Sequence, residues 1–258
     1  MKLVTWNING IRARDARVLA WVQANRPDVL CLQELKNEDA TSFFEPFRGL
    51  GYDVALYGQK AYNGVAILSR EPLADVRRGF ADDRDADPQA RLLTATAFGL
   101  RVTCAYFPNG ESTKSEKFPY KLAWMARLRD RLAADLRDHP ESVLCGDFNV
   151  APEDVDVFDP EAWRGKVLFT DEEKAALAAV RDVGFVDVVR RVRPEGKFFT
   201  WWDYRMRGFS RDLGMRIDHV YATPRIAERV VSAEVDRVER GGETPSDHAP
   251  LAVEFRDR

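Results

Sequence analysis

The chain has 258 residues, 45% of them hydrophobic, with 39 Lys and Arg against 42 Asp and Glu and a formal net charge of -3. That composition suits one globular domain over residues 1–258 and excludes a bulk polycation, so any grip on nucleic acid has to come from a local basic patch or a bound cation. Cys31, Cys104 and Cys145 each sit inside an apolar run, and no stretch approaches the ~20 apolar residues of a membrane span or the apolar core of a secretion signal; a cytoplasmic protein without membrane association is expected.

In chain order, β-branched and aromatic residues predict a strand at 2–6, then an amphipathic helix around 14–25 that stops before Pro27, then a strand at 29–33. Further strands are predicted at 53–57, 64–69, 92–98, 101–107, 142–145, 216–222 and 250–255. Between them, Pro119 opens a helix with Leu122, Met125, Leu128, Leu132 and Leu136 at three- and four-residue steps. The segment "TDEEKAAL" reads as a capped start to a helix at 171–183, with acids in its first turn. Three irregular stretches, 77–91, 151–170 and 200–216, are longer than compact domains usually carry without a use and are candidate binding loops. The two halves each begin with an apolar run that ends in polar groups, a sign of duplication.

That ending recurs: Asn7 and Asn9 after "LVTW", Glu34 after "VLCLQ", Asp147 and Asn149 in "VLCGDFN", and Asp218 in "RIDHV". A half-buried carboxylate is costly unless it is paired, hydrogen-bonded or metal-bound, so several at strand ends imply one shared polar centre. Oxygen ligands without a cysteine or histidine cluster favour hard Mg²⁺, or Mn²⁺, over zinc, with Glu34 as the leading ligand. Duller roles compete at each position. Asp147 and Asn149 suit a turn, Asn9 suits a helix cap, and Glu34 suits an ion pair with Lys36. Asp218 interrupts an apolar strand and needs a partner, which His248 can supply; a carboxylate then fixes the imidazole and raises its pKa, making a charged donor for a phosphoryl oxygen. Tyr106 is either core or a strand-end group near the site, whereas His139 and His219 fall outside it.

Together "WNINGIRA" (6–13), "PDVLCLQE" (27–34), "GQKAYNGVAILS" (58–69), "AYFPNGES" (105–112), "GDFNVAP" (146–152), "WWDYR" (201–205), "MRIDHV" (215–220) and "PSDHAP" (245–250) span nearly the whole chain. In this order they resemble the exonuclease III family of apurinic/apyrimidinic endonucleases, within the wider endonuclease/exonuclease/phosphatase superfamily. The resemblance implies an α/β fold, a four-layer α/β sandwich of two packed mixed sheets flanked by helices. It also implies hydrolysis of the phosphodiester 5′ to an abasic site in duplex DNA, often with 3′-to-5′ exonuclease and 3′-phosphatase or phosphodiesterase action, by a monomer.

Residue by residue, the resemblance makes Glu34 the main Mg²⁺ ligand, with Asn7, Asn9 and Asp247 as direct, water-mediated or outer contributors. Asp147 would deprotonate the attacking water with help from Asn149, and His248, held by Asp218, would stabilise the phosphorus centre. Tyr106 and Asn109 would contact the phosphate. Trp201, Met215 and Ile217 match positions lining a pocket for a flipped-out sugar. Arg205, Arg216 and Lys121, with neighbouring Arg and Lys residues, would form a phosphate-gripping rim. Two other readings stand beside this one: a metal-dependent phosphatase of a small or lipid phosphoester, and a catalytically silent DNA-binding module. The first lacks a use for the Trp-rich loop. The second predicts missing catalytic residues, and none is missing.

Overall fold

A computed structural model describes residues 1–82, 84 and 87–256. In chain order its strands are β1 (Lys2–Asn7), β2 (Val29–Gln33), β3 (Asp53–Tyr57), β4 (Val65–Ser69), β5 (Ala74–Arg78), β6 (Leu92–Ala97), β7 (Leu100–Tyr106), β8 (Ser142–Asp147), β9 (Val186–Asp187), β10 (Trp201–Trp202), β11 (Gly214–Met215), β12 (Asp218–Ala222), β13 (Val230–Val235) and β14 (Leu251–Phe255). One six-stranded sheet runs β13-β14-β1-β2-β4-β3, a second runs β5-β6-β7-β8-β12-β9, and β10 and β11 form a separate ribbon.

Alternation along the strands explains the layering. On β1 and β2, Leu3, Val29 and Cys31 face the second sheet, where they meet Val102, Cys104, Val143, Cys145 and Val220. Their neighbours Val4, Trp6, Leu30 and Leu32 face outward onto Val18, Trp21 and Val22 of the helix Asp15–Asn25 and Phe44 and Phe47 of Thr41–Gly49. The second sheet repeats this with Leu92, Leu144 and Tyr221, which pack on Met125, Leu128 and Leu132 of the helix Lys117–Asp138 and on Leu177 and Val180 of Asp171–Arg181. A period of two buried on both faces produces helix, sheet, sheet, helix: the expected four-layer α/β sandwich. The Asp171–Arg181 helix starts as its sequence implies, with a reciprocal cap between Thr170 and Glu173.

Each sheet has the same core pattern. β1 and β2 are parallel between antiparallel β14 and β4, while β7 and β8 are parallel between antiparallel β6 and β12. The consequence for the site is direct: β1, β2, β7 and β8 finish, and β12 begins, at one end of the sandwich.

Strands β5 and β13 are absent from the sequence expectation because both are sheet edges, where one face meets solvent and apolar alternation weakens. The helix Thr41–Gly49 is likewise unforeseen; Pro46 lies inside it. The stretch 77–91 begins on the last residues of β5, and its positions 83, 85 and 86 lie outside the described residues. Among the described residues, no helix is long and apolar enough to cross a membrane.

Candidate active site

The strand ends meet at Asn7. Its Nδ2 donates to Glu34 Oε1 at 2.8 Å and to Asp147 Oδ2 at 2.9 Å, so one amide joins carboxylates from the two sheets. Its Oδ1 accepts the backbone N–H of Asn9 at 3.0 Å. Just beyond the strands, Asn9 (φ 48°), Glu34 (φ 55°) and Asn149 (φ 51°) all occupy the left-handed region, a conformation that costs a non-glycine residue free energy and tends to be retained where it aims a side chain. Gly146, at φ 144°, cannot be replaced cheaply, because a Cβ there would lie 1.8 Å from the Ala105 carbonyl oxygen. That close approach lets β7 and β8 run side by side, and Tyr106 pairs in register with Asp147 at their ends.

On the neighbouring antiparallel strand Asp218 stands opposite Asp147. His248 Nδ1 lies 2.8 Å from Asp218 Oδ2, and its Nε2 lies 3.6 Å from Asp147 Oδ2. Burial alone would lower the imidazole pKa, but the Asp218 and Asp147 carboxylates outweigh it and push it up to about 10. Burial raises Asp147 in turn; the His248 cation pulls it back, the negative charges of Asp218 and Glu34 add to the rise, and the result is about 7. Burial, then Glu34 and Asp147, hold the Tyr106 hydroxyl well above its ordinary value. The centre therefore contains a buried imidazolium donor beside a carboxylate poised to exchange a proton near neutrality.

A second group of oxygens lies around Asn9. Asn9 Nδ2 donates to Asp247 Oδ1 at 2.9 Å, and Trp201 Nε1 donates to Asp247 Oδ2 at 3.0 Å. Burial opposes ionisation of Asp247, yet the His248 charge and these two hydrogen bonds hold its pKa below the usual value. Lys36 Nζ lies 2.8 Å from Glu34 Oε2 and also donates to Asn9 Oδ1. An ammonium already bridging these oxygens marks a place with cation-attracting potential, and a donor set of carboxylate and amide oxygens fits a hard divalent ion. Asp147, Asp218 and His248 also converge closely enough to form a three-ligand group. That group suits a cation less well, because His248 would have to surrender a strongly held proton before its nitrogen could bind metal.

Several expected site residues have other surroundings or roles. Arg216 is no phosphate grip: it is fully buried, forked onto Asp156 at 2.7 and 2.9 Å and bound to Asp187 at 2.7 Å. Lys121 is also fully buried, paired with Glu173, and donates to the backbone oxygen of Asn149 at 2.6 Å, so it supports the site from behind. Met215 and Ile217 are buried with Val157, Leu168 and Phe169 beneath the partly exposed Trp201, making them the packing under a pocket wall. Asn7 gives its nitrogen to the carboxylates and its oxygen to the Asn9 backbone, which makes it a brace between ligands, the outer of the roles expected of it. Asn9 does not cap a helix. Asn109 and Arg205 are exposed, and Asn109 Nδ2 donates to Asn149 Oδ1 at 2.9 Å. Trp202 belongs to the core, and His219 stacks on Phe148, outside the centre.

Sequence reasoning missed Arg14, which donates to the backbone oxygens of Asn9, Thr244 and Pro245 and ties the two ligand-bearing loops together. It also missed Ser246, whose hydroxyl donates to the Asn7 carbonyl at 2.7 Å and accepts the His248 N–H at 3.2 Å. Ser246 sits inside the quoted "PSDHAP" and Arg14 one position after "WNINGIRA", so proximity to those segments was the available signal.

A two-sheet α/β sandwich that gathers carboxylates, amides and one imidazole where both sheets end is arranged for acid–base hydrolysis beside a hard cation. The chain belongs to the Endonuclease/Exonuclease/phosphatase family, whose pattern matches residues 4–248. It is 38% identical to the exodeoxyribonuclease III of Haemophilus influenzae over 99% of this chain and 100% of that one. Among solved structures, a 3′ phosphatase from Neisseria, NExo, bound to a product DNA hairpin, superposes with a TM-score of 0.97 at 41% identity, with both chains fully covered. An AP endonuclease from Archaeoglobus fulgidus superposes at 0.94 with 40% identity, again over all of both chains.

Proposed function

We propose that the chain hydrolyses the phosphodiester 5′ to abasic sites in damaged duplex DNA and also removes nucleotides and phosphate from 3′ ends, acting as a cytoplasmic monomer with Mg²⁺ or Mn²⁺. At the coarser level the chain is a DNA-repair nuclease, in line with the exodeoxyribonuclease, AP endonuclease and DNA repair nuclease it resembles. The observation that carries the finer reading is the Asn7 brace, which sets Glu34 and Asp147 beside a single reaction centre that also contains His248.

Glu34, with Asp247 and Asn9, would hold the divalent ion. Bound there, the ion supplies Lewis-acid stabilisation of the leaving oxygen. Asp147 accepts the proton of the attacking water, while Asn149, which takes hydrogen bonds from Asn109 and gives them to Asp147 and the Phe107 carbonyl, fixes the water's approach. His248 stays protonated through Asp218 and meets charge developing on the phosphoryl oxygens. Tyr106 and Asn109 border the same phosphate position. Trp201 offers a wall against which a bare deoxyribose fits, and an abasic nucleotide leaves the helical stack at low cost because it has no base to unstack. Exposed Arg205 would meet the backbone beside it.

The likeness to a 3′ phosphatase favours a second emphasis, on 3′-end cleaning over internal incision. Two labelled duplexes separate the two: one with an internal abasic analogue, one with a 3′-phosphate at a nick. With Mg²⁺ both should be processed and with chelator neither; their rate ratio sets the emphasis. Failure to process either duplex with any divalent ion would reject the reading.

A further inference from the structure

Beside the site lies an arginine that the reaction above does not use. Arg240, on the short helix Arg237–Gly241, is only 6% exposed. Its Nη2 donates to the Trp202 backbone oxygen at 2.9 Å, and its guanidinium lies 5.0 Å from the Tyr204 ring centre and 5.3 Å from that of Phe209. Among the described residues its Nε has no partner and the group joins no ion pair; Asp203 and Asp247 act on it only at a distance. Burial outweighs those carboxylates and lowers its pKa. A buried guanidinium with donors left over is costly unless an anion completes it.

The space for that anion is present. Arg240 borders a cleft of about 350 Å³ lined also by Tyr204, Arg207, Phe209, Ser210 and Pro245. The cleft adjoins the candidate site: Trp202 N–H donates to the Asp247 backbone oxygen at 3.0 Å, and Tyr204 hydroxyl donates to that of Pro245 at 2.7 Å. Asp203 on the same wall opposes a doubly charged monoester, whereas a phosphodiester carries a single charge, and the aromatic rings suit an adjoining sugar.

We propose that this cleft is a second phosphate subsite, in which Arg240, with Arg207 at the rim, binds one backbone phosphodiester of the DNA away from the scissile one. The inference rests on the nuclease reading above. It assigns Arg240 to substrate positioning, through a charge-assisted hydrogen bond to a phosphate oxygen.

The test replaces each flanking phosphate in turn by an uncharged methylphosphonate and measures KM and kcat for wild type, Arg240→Gln and Arg207→Ala. One linkage should raise the wild-type KM several-fold yet leave the Arg240→Gln KM unchanged, with kcat preserved, and the variant's plot of log KM against log salt should be shallower by about 1. Additive effects at every linkage would overturn the proposal. So would thermal stabilisation of the wild type alone by inorganic phosphate when all linkage effects are additive, since the cleft would then take a free anion. If Arg240→Gln fails to fold by circular dichroism, the same cycle with Arg207→Ala on the exposed rim decides. Loss of cleavage of the unmodified duplex by wild type would instead reject the nuclease reading itself.

Discussion

Asp218 and His248 show what a single residue pair contributes. Their 2.8 Å contact keeps the imidazole charged, and that charge in turn limits how far burial raises Asp147. The two titrations belong to one coupled system, so the rate should follow a bell. Asp147 must lose its proton, so kcat/KM rises as pH climbs through about 7; His248 must keep its proton, so the rate falls as pH passes about 10. Asp218→Asn removes the main support for the imidazolium, and the alkaline limb should move to lower pH in a pH–rate profile. An unchanged alkaline limb would detach His248 from that role. This pair was legible in the sequence because an acid that interrupts an apolar strand requires a partner, and the resemblance set His248 beside it.

Elements carry the information that single positions do not. Arg216 and Lys121 look in sequence like other surface cations, yet each is fully buried on partners far along the chain, Asp156 and Glu173. No local pattern distinguishes a cation that faces solvent from one that closes a buried ion pair, and proximity to the Trp-rich loop and to "YFPNGES" pulled both toward the wrong face. Lys121 also ties the helix Lys117–Asp138 to the Asn149 turn and, through Glu173, to the cap of Asp171–Arg181. Breaking a buried pair by removing one partner costs about 3–5 kcal/mol, because the other charge stays buried. Lys121→Met should lower stability by about that amount in denaturant titration. A loss below about 1 kcal/mol would indicate a solvated surface pair.

At the scale of the whole molecule, the order of strong strands was readable and the packing of the two sheets was not, since alternation gives faces but no partners. The resemblance supplied that step, and the inter-sheet cluster, built from both halves of the chain, accounts for it physically. We expect the chain to unfold as one domain, with a single calorimetric transition whose calorimetric and van't Hoff enthalpies agree; two resolved transitions would separate the halves. The site depends on that union, because Asn7 and Glu34 come from one sheet and Asp147 and Asp218 from the other. The most direct measurement is single-turnover cleavage of an abasic-analogue duplex with Mg²⁺ by wild type and by Asp147→Asn. The account predicts incision on the 5′ side by the wild type and a loss of about a thousandfold in rate for the folded variant, whereas equal rates would show that the carboxylate at the meeting point of the sheets does not activate the water.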